Sequence, residues 1–157
     1  MLSLVYTSTQ NVKMDEHAFS TLCAAASRRN QALGVSGLLL CNGHEFLQCL
    51  EGPTLHVSAI YAKIIEDSRH GDIRLLHHQA ITQRLFDGWG MVGIMADHPG
   101  PVTEDTPYAY LDHRLHRPWH ALGVGAVDLL FEYAKVKRSL ETMGQRSLLP
   151  SMYEITP

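Results

Sequence analysis

The chain has 157 residues, enough for one domain with a substantial core. Hydrophobic residues make up 45% and charged residues 18%, a globular balance that excludes a disordered chain. With a net charge of -3 no basic field invites nucleic acid, and no apolar run is long enough to span a bilayer.

Leu2 to Ser8 alternates, with Leu2, Leu4, Tyr6 and Ser8 on one face and Ser3, Val5 and Thr7 on the other, which predicts a strand. From about Asp15 to Arg29, Ala18, Phe19, Leu22, Cys23 and Ala26 follow helical spacing. A second strand runs over Val35–Cys41. Asn42-Gly43 is a strong hairpin signal, and the return strand covers His44 to Glu51. If Asn42 and Gly43 form a two-residue turn, Phe46 faces Leu39 and Gln48 faces Gly37. The small neighbour then leaves room above the sheet beside the amide, as a ligand needs; a bulge or close packing explains Gly37 equally well.

Gln48 stands on an apolar face between Phe46 and Leu50. A half-buried primary amide requires both donor and acceptor partners, either backbone or a bound heterocycle with its own carbonyls and ring nitrogens.

Gly52-Pro53-Thr54 leads into a second helix with Val57, Ile60, Tyr61, Ile64 and Ile65 on one face, stopping near Gly71. Ile73–Thr82 and Phe86–Met95 read as two further strands. The order predicts an α+β, ferredoxin-like βαββαββ fold, a five-stranded mixed sheet with two helices on one face. Asp97 to Pro107 has the prolines of a linker, Ala121 to about Leu140 reads as a helix, and Pro150 to Pro157 as a tail. The expected organisation is a domain over 1–96 and, over 97–157, a linker with a C-terminal helical extension that is not an independent domain. Leu122, Val124, Val127, Leu129, Leu130, Phe131 and Tyr133 exceed one helix face and predict docking on the open sheet face or another subunit.

Three cysteines, Cys23, Cys41 and Cys49, lack metal spacing, and no signal peptide is evident, so a cytoplasmic location is expected. His116 and His120 stand at helical spacing after Asp112-His113, but Pro118 interrupts them; solvated linker histidines are preferred over a metal site. Glu51, Glu66 and Asp67 form no glycosidase-like pair.

The ordered set L-V-Y-T-S, Arg29-Asn30, G-V-S-G-L-L-L, F-L-Q-C-L-E-G-P, D-S-R-H and R-L-F-D-G-W-G-M resembles the BLUF family of blue-light sensors using flavin, over about residues 1 to 95. The resemblance implies FAD, with FMN or riboflavin as alternatives, lying between the two helices. It implies that Leu22 and Ile64 cover the faces of the ring, with Phe46 also in contact. Asn30 would bond the polar edge, with Arg29 beside it. Lys63 would approach a carbonyl or the phosphate tail, and Asp67, Arg69 and His70 the ribityl and phosphate end. Tyr6, with Ser8 on the same face, and Gln48 would carry the photochemistry, and Trp89 and Met91 the signal output. Gly90 stands between these last two where serine is common, which puts strand flexibility in doubt. The implied partners are flavin, further copies of the chain (a dimer or larger ring) and a downstream protein effector, with no nucleic acid, membrane or metal. About sixty residues follow the sensor, too few for a cyclase or phosphodiesterase domain, so no enzymatic activity is expected. Two rivals are an acylphosphatase-like hydrolase using Arg29 and Asn30, and a light-independent flavin-binding assembly protein.

Overall fold

The computed structural model describes residues 1–96, 118–142 and 152–155. The elements are β1 (Leu2–Gln10), α1 (Glu16–Ala32), β2 (Ser36–Cys41), β3 (Glu45–Gly52), α2 (Thr54–Ile65), β4 (His70–Ala80), β5 (Val92–Ala96), α3 (Trp119–Leu122), α4 (Gly125–Thr142) and β6 (Met152–Ile155). The sheet order is β4-β1-β3-β2-β5-β6, with β2 and β5 parallel and the other pairs antiparallel. This is the expected ferredoxin-like βαββαββ arrangement, extended by one strand. Met152–Ile155, expected as part of a tail, pairs with β5 and makes the sheet six-stranded.

Strand alternation sorts the side chains into two cores. Leu4 and Tyr6 of β1, Leu39 and Cys41 of β2, and Phe46 and Leu50 of β3 face α1 and α2. Val5, Leu38, Leu40, Leu47 and Cys49 face the other way, against Trp119 and the α4 residues Leu129, Leu130 and Tyr133. The surplus of apolar residues in the C-terminal segment is explained by this docking on the open sheet face. Val124 is the exception, 72% exposed.

α1 is capped by Asp15, whose Oδ1 accepts from Ala18 N at 2.8 Å. α2 ends at Ile65, before the expected glycine stop. Asp67 N donates to Ile64 O at 3.1 Å, and β4 has begun by His70, so Gly71 lies within the strand. Ile65, expected on the buried helix face, is 54% exposed.

The hairpin differs from its expected register. Asn42 N donates to Glu45 O at 3.2 Å, so the two-residue turn is Gly43-His44 and not Asn42-Gly43. Gly43 takes a φ of 85° at the first turn position, while the Asn42 side chain accepts from the His44 and Glu45 amides. Gln48 therefore pairs with Leu39, and Gly37 with Leu50. The shift is by two residues, so every side chain keeps its face. The space at Gly37 is filled by Met91, whose Cε lies 3.2 Å from where a Cβ would stand. Cys41 and Cys49 occupy opposite faces, and all three cysteines are free.

One carboxylate ties the C-terminal segment to the sheet. Glu45, 4% exposed, accepts from Trp119 N at 2.6 Å and His120 N at 3.0 Å, and bonds the His120 ring. His120 is exposed, as expected, and its ring also bonds Glu45; Asp112, His113, His116 and the linker over 97–107 lie outside the described residues. Burial works to raise the Glu45 pKa, but the bonds from His120 and Trp119 outweigh it and the net shift is downward. A lowered carboxyl pKa stabilises the fold above the ordinary carboxylate range, and that stabilisation is lost as pH falls through the folded value. Glu45→Gln should cost about 1–3 kcal/mol at neutral pH. Denaturant unfolding checks this, and the deficit should shrink in acid.

Candidate functional site

A cavity of about 870 Å³ opens between α1 and α2 above the sheet. Its floor is Tyr6 from β1, Leu39 from β2, and Phe46 and Gln48 from β3. Leu22, Ala25 and Ala26 of α1 make one wall and Ile64 of α2 contributes to the other. Arg29, Lys63, Asp67, Arg69 and His70 bring the polar groups. An apolar slot with a few convergent polar groups suits a flat heterocycle, and the volume lies within the roughly 300–1,000 Å³ of small-molecule sites.

Tyr6 and Gln48 are directly opposite each other across the β1–β3 pair. The Tyr6 hydroxyl donates to Gln48 Oε1, and Gln48 Nε2 donates to Met91 Sδ at 3.5 Å. Tyr6 is 3% and Gln48 5% exposed. Burial, with Tyr61 and Asp67 nearby, pushes the Tyr6 phenol far above its ordinary value, although Arg29 opposes the shift. The phenol is therefore neutral across the physiological range. The Tyr61 ring lies 5.5 Å from it, centroid to centroid.

Two of the expected contacts sit behind the cavity wall. Ser8 is buried on the Tyr6 face, with no hydrogen bond to its Oγ among the described residues. Asn30 is fully buried; its Nδ2 donates to Gly90 O at 2.9 Å and its Oδ1 accepts from Arg29 Nε at 3.3 Å.

Trp89 and Met91 do not share a face. The last core strand begins at Val92, later than expected, and both residues precede it. Residues 86–89 form a turn, with Gly88 at a φ of 83° and Trp89 N donating to Phe86 O at 3.0 Å, and the chain bends again at Gly90, between the two residues, which breaks the two-residue alternation. Met91 joins the cavity-side core and Trp89 packs against the opposite one. Gly90 is a packing requirement more than a point of flexibility: a Cβ there would stand 2.6 Å from Gln31 Cγ and 2.7 Å from Ser27 Oγ on α1.

The cavity also takes Met14, His17, Ala18, Thr21 and Ala25, which had not been assigned to a site. Part of the signal was available: positions 18, 22, 25 and 29 recur at helical spacing, one stripe beside the Phe19–Cys23–Ser27–Asn30 stripe that faces the sheet.

At the α2 end, Asp67 Oδ1 accepts from Arg69 N at 3.0 Å and from Arg69 Nε at 2.9 Å. Hydrogen bonds from the Arg69 side chain, opposed by partial burial and helped by the Arg69 backbone, lower its pKa from 3.8 to about 2. Burial lowers the pKa of His70 below its ordinary value, with Asp67 opposing.

The fold and the paired Tyr6–Gln48 floor define a small sensor-type domain built around a flat chromophore. The family described as "BLUF: Sensors of blue-light using FAD" matches residues 1–92, and the chain belongs to it. It is 37% identical over 93 residues to the blue light- and temperature-regulated antirepressor BluF of Escherichia coli, which covers 58% of this chain and 23% of that protein. It is 34% identical over 86 residues to the photoactivated adenylate cyclase subunit beta of Euglena longa, covering 55% of this chain and 10% of that one. The chain thus spans less than a quarter of either curated relative. The dark-state structure of the BLUF protein BlrB superposes with a TM-score of 0.70 at 28% identity, covering 86% of this chain and 96% of that one. The family's cofactor is FAD. Neither the hydrolase nor the light-independent flavoprotein finds support in these matches. No helix among the described residues is long and apolar enough to cross a membrane.

The Asp67 carboxyl should titrate near 2 by carbon NMR, and Arg69→Ala should return the midpoint toward 3.8. Because the folded value is the lower one, its stabilisation is present above about pH 4 and disappears between about pH 4 and 2.

Proposed function

We propose that Tyr6 supplies an electron and a proton under blue light, that Gln48 records the event as a changed hydrogen-bond pattern, and that the segment ending at Met91 passes the change to α4 and to a protein partner. The Tyr6–Gln48–Met91 chain on the cavity floor carries this reading. FAD, when bound, supplies the blue absorption and an excited state that takes up an electron.

Leu22 and Ile64 stand where they can cover the two faces of a ring, with Phe46 at its border. Arg29 offers donors to the polar edge; for Asn30 to reach it, its amide must turn from the Gly90 carbonyl. Lys63, Arg69 and His70 suit the ribityl and phosphate end, with Asp67 orienting Arg69.

Tyr6 holds its proton tightly in the dark. Once the phenol has lost an electron that proton becomes strongly acidic, and Gln48 Oε1 already accepts it. When the electron and the proton return to Tyr6, the amide can re-form reversed or as its tautomer. In the reversed amide an N–H faces Tyr6 and the oxygen faces Met91. A thioether sulfur only accepts, so the reversed amide loses its bond to Met91 and that contact reports the state. An N–H turned toward a cofactor carbonyl accounts for a slight red shift.

Output then passes by protein contact. Self-association and a downstream protein effector complete the reading. The three free, buried cysteines suit a reducing cytoplasm.

Tyr6→Phe should keep bound FAD and lose the reversible red shift. Absorption spectra before blue light, after it and through dark recovery make the test. A normal photocycle in the variant removes Tyr6 from its role, and a wild-type flavin that only bleaches removes the sensor reading.

A further inference from the structure

The segment 85–91 is gripped from both sides of the sheet. In the plane of the sheet Gly37 N donates to Trp89 O at 2.8 Å, and on the cavity side Asn30 Nδ2 donates to Gly90 O at 2.9 Å and Gln48 Nε2 to Met91 Sδ at 3.5 Å. On the other side, Glu51 accepts from Leu85 N at 2.7 Å and Phe86 N at 3.0 Å. The remaining grip comes from α4. Arg138 Nε donates to Leu85 O at 2.7 Å, its Nη2 donates to Asp87 O, and its guanidinium carbon lies 4.7 Å from the Trp89 ring centroid. One planar fork thus holds two carbonyls and an aromatic face of the same short segment, a geometry that lysine cannot reproduce.

We propose that Arg138 is the positioning residue that transmits the state of the 85–91 segment to α4. The inference rests on the sensor reading above. When Gln48 no longer donates to Met91, the cavity-side hold on the segment weakens at one end. Residues 85 to 89 then shift against Glu51, and α4 follows because Arg138 ties the helix to both carbonyls and to Trp89. Arg138 touches neither the cavity nor Gln48, so it acts on output and leaves the photochemistry alone.

The test compares FAD-loaded wild type, Arg138→Gln and Arg138→Lys. Each is measured twice: by the light-induced red shift, and by the light-minus-dark difference in hydrogen exchange of the α4 amides. Both variants should keep the full red shift while the α4 difference falls about fivefold or more, the scale of mutations that interrupt coupling between sites. Lysine should restore little, since it keeps the charge but not the fork. If Arg138→Gln does not fold, Arg138→Lys carries the test alone. An α4 light response of wild-type size in the variants overturns the proposal, even where dark exchange is raised. So does loss of the red shift together with the α4 response, or a wild type that shifts red while α4 stays silent. A wild type with no red shift instead overturns the sensor reading on which the proposal rests.

Discussion

The β1–β3 register is the constraint on which the site depends. It sets Tyr6 and Gln48 directly opposite each other on a largely apolar face, where their side chains have little choice of partner. Burial alone makes a phenol hold its proton and makes an amide seek every hydrogen bond it can form. Together they give a donor with one acceptor in reach, and an acceptor whose other end rests on a sulfur that has nothing to donate. Such a pair has two internally consistent arrangements that differ in one contact, the requirement for a two-state element. The cavity above it then need only bring in an oxidant.

The two cores are separated by the sheet, and in the proposed output an event on the cavity side is felt by α4 on the other. The proposed route runs along the backbone at 85–91, which bends at Gly90 and presents Trp89 to one core and Met91 to the other. Six of its backbone groups, Leu85 N and O, Phe86 N, Asp87 O, Trp89 O and Gly90 O, bond to β2, β3, α1 or α4, which makes it a junction and not a loop.

Much of this could be read from the chain, because strand alternation and helix spacing depend only on local geometry. Tyr6, Gln48 and Leu22 fell on the correct faces for that reason, and the fold followed from the order of elements. The hairpin register did not, since Asn42 used its side chain as a turn cap in place of occupying the turn. The face of Trp89 was lost because the chain bends at Gly90 before β5 begins at Val92, so strand alternation does not hold from 89 to 91. Arg138 and Glu45 were illegible as well. Their partners lie 51 to 75 residues away in sequence, and a charged side chain bonding distant backbone carries no periodic signature. The sixth strand is too short to announce itself in a stretch that also carries two prolines.

β5 lies between a parallel neighbour, β2, and an antiparallel one, β6. Sliding it by a single residue would rotate Val92 and Ile94 out of the α4-side core and carry Gly93 away from Cys23, whose sulfur occupies the place of its missing side chain. Moving by two would require both ladders to break and re-form together. Longitudinal travel of this strand is therefore quantised and heavily penalised, while twist and the lengthening of individual hydrogen bonds are not. On the proposed route, what reaches β5 from Met91 arrives as torsion.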